Sequence, residues 1–400
     1  MRIALVVPEF PPFQIGGGGL VFERLADIYS DEHEVAVFAG HDPVRSWVRC
    51  RVDERTDRCR KFRVFRYPLG PMLKEVPSLR SVIPPAFGAA MALRRDLLNW
   101  RPDVAHLHGI GYGIVDLAAL LLKRANVPYV ITNHGLPVSP FDKGRCVRGA
   151  YSVYKRFIGS RTVRLAAIAT GVSGAACDEL RDQFGRDAMV IPNGVARIGD
   201  DLEDTGISIR EQLGLSRDEV VIVAAGRITY SKGFDVLVDA LMLLPLERVV
   251  CVIAGKNGGA LSDLVRRSQA IESRHTVLFP GALSGRELSR LVRSASVVVM
   301  PSRTEPFGLF AFEVLSNMRR IVATNVGGLG EFLPNGPAIL VDPDSPGAIA
   351  AGVTRAIEMG ELSTGERQQV EAILGSLDWG IVGARYLRVL TEAGSLYSGI

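Results

Sequence analysis

The sequence predicts an α/β protein with two doubly wound, Rossmann-like domains that face a cleft. Short β-branched runs alternate with amphipathic helical stretches from one end of the chain to the other, the pattern of parallel strands joined by right-handed crossovers. The chain has 400 residues, more than one hydrophobic core usually organises. Because the alternation restarts after a turn-rich, acidic stretch, we expect one sheet in each half.

The first half carries the pattern of the first sheet. Its predicted strands are Arg2–Val7, Glu34–Ala39, Arg63–Tyr67, Asp103–Leu107, Tyr129–Thr132 and Ala166–Val172. Helices are expected between them, notably Leu20–Tyr29 and Phe87–Trp100. An N-terminal domain is therefore placed at residues 1–195.

The second half repeats this alternation. Its predicted strands are Val220–Ala225, Val249–Ala254, Thr276–Phe279, Val297–Met300, Arg320–Thr324 and Ala338–Val341. A C-terminal domain is placed at residues 216–377, and the Pro-Asn-Gly turn and acidic residues of 192–215 indicate a linker. Residues 378–400 have helical spacing that leaves open packing on either domain, including back on the N-terminal one.

Composition and charge exclude several protein classes. Apolar residues make up 47% and charged residues 22% of the chain, which is ordinary globular usage. The first apolar run meets Pro8 and Glu9 too early for a secretory signal, and Asp116 interrupts the longest apolar stretch. The five cysteines lack metal-binding spacing, and a net charge of +4 does not demand a nucleic-acid partner. We expect a cytoplasmic protein with reduced thiols, no metal and no nucleic acid.

Two cations follow the first strand of the second half. Arg227 and Lys232 come after Val220–Ala225, and Gly233 leads into an amphipathic helix. Cations at the carboxyl end of a parallel strand, beside a helix N-terminus, suit a diphosphate whose charge develops as it leaves. A solvated basic turn is the alternative for this loop.

Two carboxylates lie eight residues apart around a turn. Glu305 precedes Pro306, and Glu313 lies inside an apolar helix that begins near Leu309. The helix N-terminus offers free amides to an anion at Gly308, and Glu313 needs a partner among its apolar neighbours or is a polar interruption of a core helix.

Together these segments resemble the retaining family 4 glycosyltransferases of the GT-B fold. The resemblance rests on GRITYSKGFDVLVDAL, EPFGLFAFEVL, ATNVGGLGEFL, PPFQIGGGGLVFERLA, DVAHLHG, TNHG and VIPNGV, and it runs from Arg2 to about Val341. The segment SNMRRIVATNVGG departs from the family pattern, because it lacks the usual small residue, Gly and Pro before its strand.

The resemblance implies a role for each matching residue. Arg227 and Lys232 would bind the donor diphosphate, and Glu305 would contact the donor sugar. Phe307, Gly308 and Leu309 would supply loop amides, and Glu313 would hold the nucleotide ribose. Gly16 and Gly17 would approach the diphosphate and the acceptor, and His134 would lie near the donor sugar and the acceptor hydroxyl. The reaction would retain configuration without a metal and without a simple enzyme nucleophile.

The residues themselves support part of this assignment. Four consecutive glycines, Gly16 to Gly19, permit close approach of a ligand or form only a flexible loop. Prolines intervene where GxGxxG would stand, which argues against a nicotinamide-dependent dehydrogenase. His134 follows a predicted strand and precedes Gly135, which favours a functional position.

Other polar pairs are interpreted as structural. His106 and His108 alternate on one strand and share a face, but no third ligand accompanies them, so they line the cleft or serve the core. Asp342 and Asp344 form a D-x-D in a Pro-rich loop, and a surface turn is favoured over a metal diphosphate site.

The predicted function is transfer of a sugar from a nucleoside diphosphate sugar to a hydroxyl acceptor, a glycan, a glycolipid or a small molecule. A UDP-sugar is expected first as donor, with GDP- and ADP-sugars as alternatives. A nucleotide-sugar epimerase or hydrolase of the same fold, or a non-catalytic nucleotide-sugar-binding protein, remains open. Peripheral contact with an anionic membrane also remains open, because residues 143–164 are basic with interspersed aromatics.

Overall fold

The computed structural model describes residues 1–12, 17–41, 52–53, 61–68, 87–136, 141, 145–195, 214 and 219–398. By its contacts the chain divides into two compact units, unit 1 (Met1–Gly194 with Trp379–Ile400) and unit 2 (Val195–Asp378). Most of the predicted linker, residues 196–213 and 215, lies outside the described residues. None of the helices in the described ranges has the length and hydrophobicity that crossing a bilayer requires.

Unit 1 contains a sheet of eight described strands. These are β1 (Arg2–Val7), β2 (Glu34–His41), β3 (Val52–Asp53), β4 (Arg63–Pro68), β5 (Val104–His108), β6 (Tyr129–Asn133), β7 (Ile168–Gly171) and β8 (Met189–Val190). Their order is β3-β4-β2-β1-β5-β6-β7-β8, and all pairs are parallel except β3 with β4.

Helices cover this sheet. They are α1 (Gly18–Glu32), α2 (Phe87–Trp100), α3 (Gly113–Arg124), α4 (Arg145–Tyr154), a π-helical turn (Lys155–Gly159), α5 (Ser160–Arg164) and α6 (Gly174–Phe184). The central strands β1, β5 and β6 are buried almost throughout, as expected for strands covered on both faces.

The described part of unit 2 contains six parallel strands. They are β9 (Val220–Ala225), β10 (Val249–Ala254), β11 (Thr276–Gly281), β12 (Val297–Met300), β13 (Ile321–Thr324) and β14 (Ala338–Val341), in the order β11-β10-β9-β12-β13-β14. The helices are α7 (Phe234–Leu241), α8 (Leu261–Gln269), α9 (Gly285–Ser294), α10 (Leu309–Ser316), α11 (Gly327–Phe332), α12 (Pro346–Met359) and α13 (Thr364–Ser376).

The last helix, α14 (Trp379–Ser398), belongs to unit 1. It packs on β5, β6 and α1. The Tyr386 hydroxyl donates a hydrogen bond to the carbonyl oxygen of Ile191 at 3.2 Å. The chain therefore returns to its N-terminal unit after completing the second sheet.

The predicted α/β class with two doubly wound sheets is confirmed. Several boundaries were wrong by a few residues: α1 begins at Gly18 rather than Leu20, β11 continues to Gly281, and β7 is shorter than the predicted 166–172. The carbonyls of Ala166 and Ala167 instead accept hydrogen bonds from Arg186, each at 2.9 Å. These two residues therefore belong to the connection between α5 and β7 and not to the strand.

The turn before β13 is atypical, as its sequence indicated. Met318 has φ 52°, a left-handed conformation in which glycine is more stable. Arg320 is buried and donates to the Glu366 carboxylate at 2.6 and 3.0 Å, and these hydrogen bonds lower the pKa of Glu366. An ion pair thus joins this turn to the first turn of α13.

Candidate active site

The candidate donor site lies where the strand order of unit 2 reverses. β9 pairs with β10 on one side and with β12 on the other. The connection that follows β9 leads to β10, and the connection that follows β12 leads to β13, so the chain runs toward opposite edges of the sheet from these two neighbouring strands. Loops at the carboxyl ends of such a strand pair form a crevice in which ligands bind. The loop after β9 carries Arg227 and Lys232, and the loop after β12 carries Glu305.

Lys232 and Glu305 meet at this edge of the sheet. Lys232 ends a 3₁₀ turn, and its ammonium forms an ion pair with the Glu305 carboxylate. Gly233 follows with φ 64°, and a Cβ there would lie 1.9 Å from the carbonyl oxygen of Pro301. Only glycine allows the two loops to approach this closely, so the loop geometry brings the predicted cation and carboxylate together.

The Glu305 loop leads directly into α10. Phe307 is buried and stacks on Phe312 with ring centroids 4.9 Å apart, and Gly308 has φ 93° at the start of the helix. The Gly328 amide donates to the Glu305 carbonyl at 3.0 Å. Within the described ranges, no group accepts a hydrogen bond from the amides of Gly308 and Leu309. These amides and the helix dipole suit an anion.

Arg227 lies two residues beyond β9 and is exposed. Among the described residues it forms no ion pair, so its charge is available to a ligand in the crevice. Sequence reasoning placed Arg227 and Lys232 in one clamp. The structure puts both on the loop after β9, and of the two only Lys232 is paired with a carboxylate.

Arg303 is a site residue that sequence reasoning missed. Its guanidinium donates two hydrogen bonds of 2.8 Å to Asp235 in α7, and it also pairs with Asp344. It donates as well to the Tyr230 carbonyl in the turn that carries Lys232. These ion pairs raise the pKa of Arg303. Arg303 therefore holds the loops after β9, β12 and β14 in one arrangement.

The position of Arg303 was a usable signal. Arg303 precedes Glu305 by two residues, and Asp235 follows Lys232 by three. A cation and a carboxylate that could pair with each other therefore stand close in sequence to the two predicted site residues. One of the two aspartates of the D-x-D has a structural partner, since Asp344 forms an ion pair with Arg303. The other aspartate, Asp342, is exposed. Within the described part of the chain, no three His, Cys, Asp or Glu side chains come together as a metal site.

Glu313 lies one turn inside α10 and is half-buried. Its neighbours Ala311, Phe312, Val314 and Leu315 are buried in the core of unit 2. Burial raises the pKa of Glu313 to about 7, and no described side chain donates a hydrogen bond to its carboxylate. The Glu313 carboxylate can therefore accept a hydrogen bond from a ligand.

His134 follows β6 in unit 1 and is partly buried. Its Nε2 shares a hydrogen bond of 2.8 Å with His108 Nδ1. The Phe22 ring packs against both imidazoles, with ring centroids 4.9 Å from that of His108 and 5.4 Å from that of His134. Burial lowers the pKa of His134 to about 4. The imidazole is neutral at pH 7 and fixed in orientation by His108.

His106 and His108 share a face, as the strand pattern predicted, with ring centroids 3.9 Å apart. His106 Nε2 lies 2.8 Å from the Thr132 hydroxyl, and its Nδ1 lies 2.9 Å from the Tyr29 hydroxyl. Burial lowers the pKa of His106 to about 3, and burial also lowers the pKa of His108 well below its ordinary value. Because hydroxyl groups occupy both nitrogens of His106, this residue is structural.

The glycine loop is described only in part. Gly16 lies outside the described residues, whereas Gly17 is exposed and precedes α1 with φ −64°. Residues of any type adopt that conformation, so glycine is not required at position 17 for backbone reasons. The predicted roles of Gly16 and Gly17 toward the diphosphate and the acceptor stay predictions.

Acidification from pH 7 to pH 5 is expected to destabilise unit 1. A histidine in the unfolded chain gains its proton near pH 6.5, whereas folded His106 does so near pH 3. Between these values the unfolded state binds more protons, so stability falls as the pH falls. His106 alone should lower the free energy of unfolding by about 2 kcal/mol between pH 7 and pH 5.

Hydrogen exchange of the amides in β5 and β6, corrected for intrinsic rates, measures this change locally. A His106→Gln variant should show a smaller pH dependence, and His33→Gln, outside the cluster, should match the wild type. Equal protection at pH 5 and pH 7 in the wild type would contradict the assignment of neutral, buried imidazoles.

Two protein-family models match this chain. The model described as Glycosyltransferase Family 4 matches residues 15–197, and that of Glycosyl transferases group 1 matches residues 207–370. An uncharacterized glycosyltransferase of Methanocaldococcus jannaschii is 29% identical over 373 residues, 89% of this chain and 89% of that protein. Glycogen synthase of Mycobacterium tuberculosis is 29% identical over 384 residues, 90% of this chain and 86% of that one.

A solved structure shares the fold. The crystal structure of Anabaena HepE in complex with UDP and glucose superposes with a TM-score of 0.74 at 20% sequence identity, covering 98% of this chain and 100% of that one.

Proposed function

We propose that this chain, which belongs to the family 4 type of GT-B glycosyltransferases, transfers a sugar from a nucleoside diphosphate sugar to a hydroxyl acceptor with retention of configuration. The observation that carries the proposal is the meeting of Lys232 and Glu305 at the strand-order reversal of unit 2. Arg227 on the same loop and the free amides at the start of α10 complete an anion site.

The charges divide the site between phosphate and sugar. Arg227, Lys232 and the amides of Gly308 and Leu309 would stabilise the diphosphate, most strongly as it departs. Glu305 would repel phosphate oxygens, so its carboxylate would accept hydrogen bonds from hydroxyls of the transferred sugar. Lys232, already paired with Glu305, would lie between the two groups and contact both.

The proton of the acceptor hydroxyl needs a destination. His134 is a weak base, because burial lowers its pKa to about 4. We therefore assign the proton to the departing phosphate oxygen: the acceptor oxygen bonds to the anomeric carbon on the face from which the diphosphate leaves. No enzyme carboxylate forms a covalent intermediate in this scheme, and side-chain cations do the work that a metal does elsewhere. Neutral His134 would orient the sugar or the acceptor through hydrogen bonds.

A UDP-sugar is the donor we propose first, with GDP- and ADP-sugars as competitors. A thermal-shift panel of these three classes tests this order, since a ligand that binds only the native state raises the melting temperature. A donor labelled in the sugar then separates the possible reactions. Label in an added glycan, glycolipid or small-molecule acceptor supports transfer. Free labelled sugar alone supports a hydrolase, an epimerised donor supports an epimerase, and an unchanged donor supports a binding protein.

Nucleotide binding is expected to release protons at Glu313. Ribose hydroxyls would donate to its carboxylate and favour the ionised form, so binding should lower a pKa that stands at about 7 without ligand. The affinity for nucleoside diphosphate should therefore rise by up to about tenfold between pH 6 and pH 8.

Calorimetric titration in buffers of different ionisation enthalpy counts the released protons. Glu313→Gln should bind more weakly and lose this component, while the proton release that belongs to the nucleotide's own phosphate remains. If the wild type and Glu313→Gln release the same number of protons, the ribose is not bound by Glu313.

A further inference from the structure

The surface of unit 1 carries an apolar and basic face that the transfer reaction does not use. α4, the π-helical turn and α5 form a continuous helical stretch that ends at Arg164. Val153 and Phe157, four residues apart, have exposed fractions of 60% and 67%. Ile158, in the same π-helical turn as Phe157, is 43% exposed. Large apolar side chains therefore project together into solvent.

The opposite side of this stretch is fixed to unit 1. The Thr162 hydroxyl donates to the buried Asp116 carboxylate at 2.6 Å, and the Tyr129 hydroxyl donates to the Thr162 carbonyl at 2.7 Å. Val163 and Tyr151 are buried. The exposed side chains thus have no opportunity to fold inward without breaking these contacts.

Basic residues are interspersed with these apolar side chains along the helical stretch. Between residues 149 and 164 the sequence has Lys155, Arg156, Arg161 and Arg164 and no acidic residue. Arg156 and Arg161 are exposed and form no ion pair among the described residues. We call Val153, Arg156, Phe157, Ile158 and Arg161 the basic apolar face.

We propose that the basic apolar face binds the surface of an anionic lipid bilayer. An amphipathic helix of this kind lies in the interface, with apolar side chains at the level of the acyl chains and cations at the headgroups. A soluble polyanion would satisfy Arg156 and Arg161 but leave Phe157 in water. The bilayer surface is the partner that satisfies both sets, and the proposal does not depend on the transferase reaction.

Flotation of the full chain with vesicles tests the proposal. The wild type should float with phosphatidylcholine vesicles that contain about one third phosphatidylglycerol, and not with phosphatidylcholine alone. Arg156→Gln/Arg161→Gln should lower the partition coefficient about 25-fold, at about fivefold for each charge. Phe157→Ser should lower it about tenfold or more. Unchanged thermal melting of each variant verifies folding.

Matched controls lie elsewhere on unit 1. Phe87→Ser removes another exposed phenylalanine, and Arg94→Gln/Arg101→Gln removes two other exposed arginines; both variants should float like the wild type. A Phe157→Trp variant should show a blue-shifted emission only with anionic vesicles.

Three results would overturn the proposal. The wild type could fail to float with anionic vesicles, or the face variants could float as well as the wild type. The substitutions could also weaken binding to dextran sulfate while leaving flotation unchanged, which would assign the face to a soluble polyanion.

Discussion

Lys232→Ala is expected to lower the rate of sugar transfer by about 100- to 1,000-fold, the effect of removing one preorganised group that stabilises transition-state charge. Lys232 is fixed by the turn after β9 and by its ion pair with Glu305, so its ammonium needs little reorganisation when the diphosphate departs. Its loss also leaves the largely buried Glu305 carboxylate without its cation. Nucleoside diphosphate binding should weaken as well.

Steady-state kinetics at saturating and limiting donor measure both effects. Arg286→Ala, which removes an exposed cation of α9 in the same unit, is the control and should behave as the wild type. Circular dichroism and thermal melting verify that the Lys232 variant is folded. Wild-type kinetics in folded Lys232→Ala would remove this residue from the site.

His134→Ala is expected to lower the rate of transfer about 100-fold, the effect of losing a group that orients the reactants, while changing the affinity for nucleoside diphosphate less than about twofold. His134 belongs to unit 1, whereas Arg227, Lys232, Glu305 and Glu313 belong to unit 2. Nucleotide binding should therefore depend on unit 2, and transfer should need groups of both units.

The pH profile distinguishes the role of His134 further. Because the pKa of His134 is lowered to about 4, its substitution should not change the shape of the transfer profile between pH 6 and pH 8. His108→Phe should lower transfer less than His134→Ala, because it removes only the hydrogen bond that orients the ring. Abolished nucleotide binding in folded His134→Ala, or transfer at the wild-type rate, would show that His134 does not serve the sugar and acceptor side.

Periodicity gave most of the fold because the central strands are buried on both faces. Such strands are continuous apolar runs, and β1, β9, β10, β12 and β14 have the predicted boundaries. Errors occur where side chains from distant elements decide the end of a strand. Arg186 caps the residues before β7, and nothing in the local sequence of β7 reveals that contact.

The positions of the candidate site residues in loops were predictable from the sequence, but the contacts between those loops were not. The loop positions of Arg227, Lys232, Glu305 and His134 follow from the strand pattern. The contacts of Arg303 with Asp235 and Asp344 join residues that are 68 and 41 positions apart in sequence. Such pairings depend on strand order, which periodicity does not determine. The roles given to the site residues stay predictions until the variants are measured.

Calorimetric titration of the full chain with nucleoside diphosphate and with nucleoside monophosphate, both in excess EDTA, tests the central claim most directly. If Arg227 and Lys232 bind the diphosphate without a metal, the diphosphate should bind at least about tenfold more tightly than the monophosphate. The Arg227→Ala/Lys232→Ala variant should lose most of this preference, and the amides of Gly308 and Leu309 would account for what is left. Loss of diphosphate binding in EDTA and its recovery on adding magnesium or manganese, or an unchanged preference in the double variant, would contradict the account.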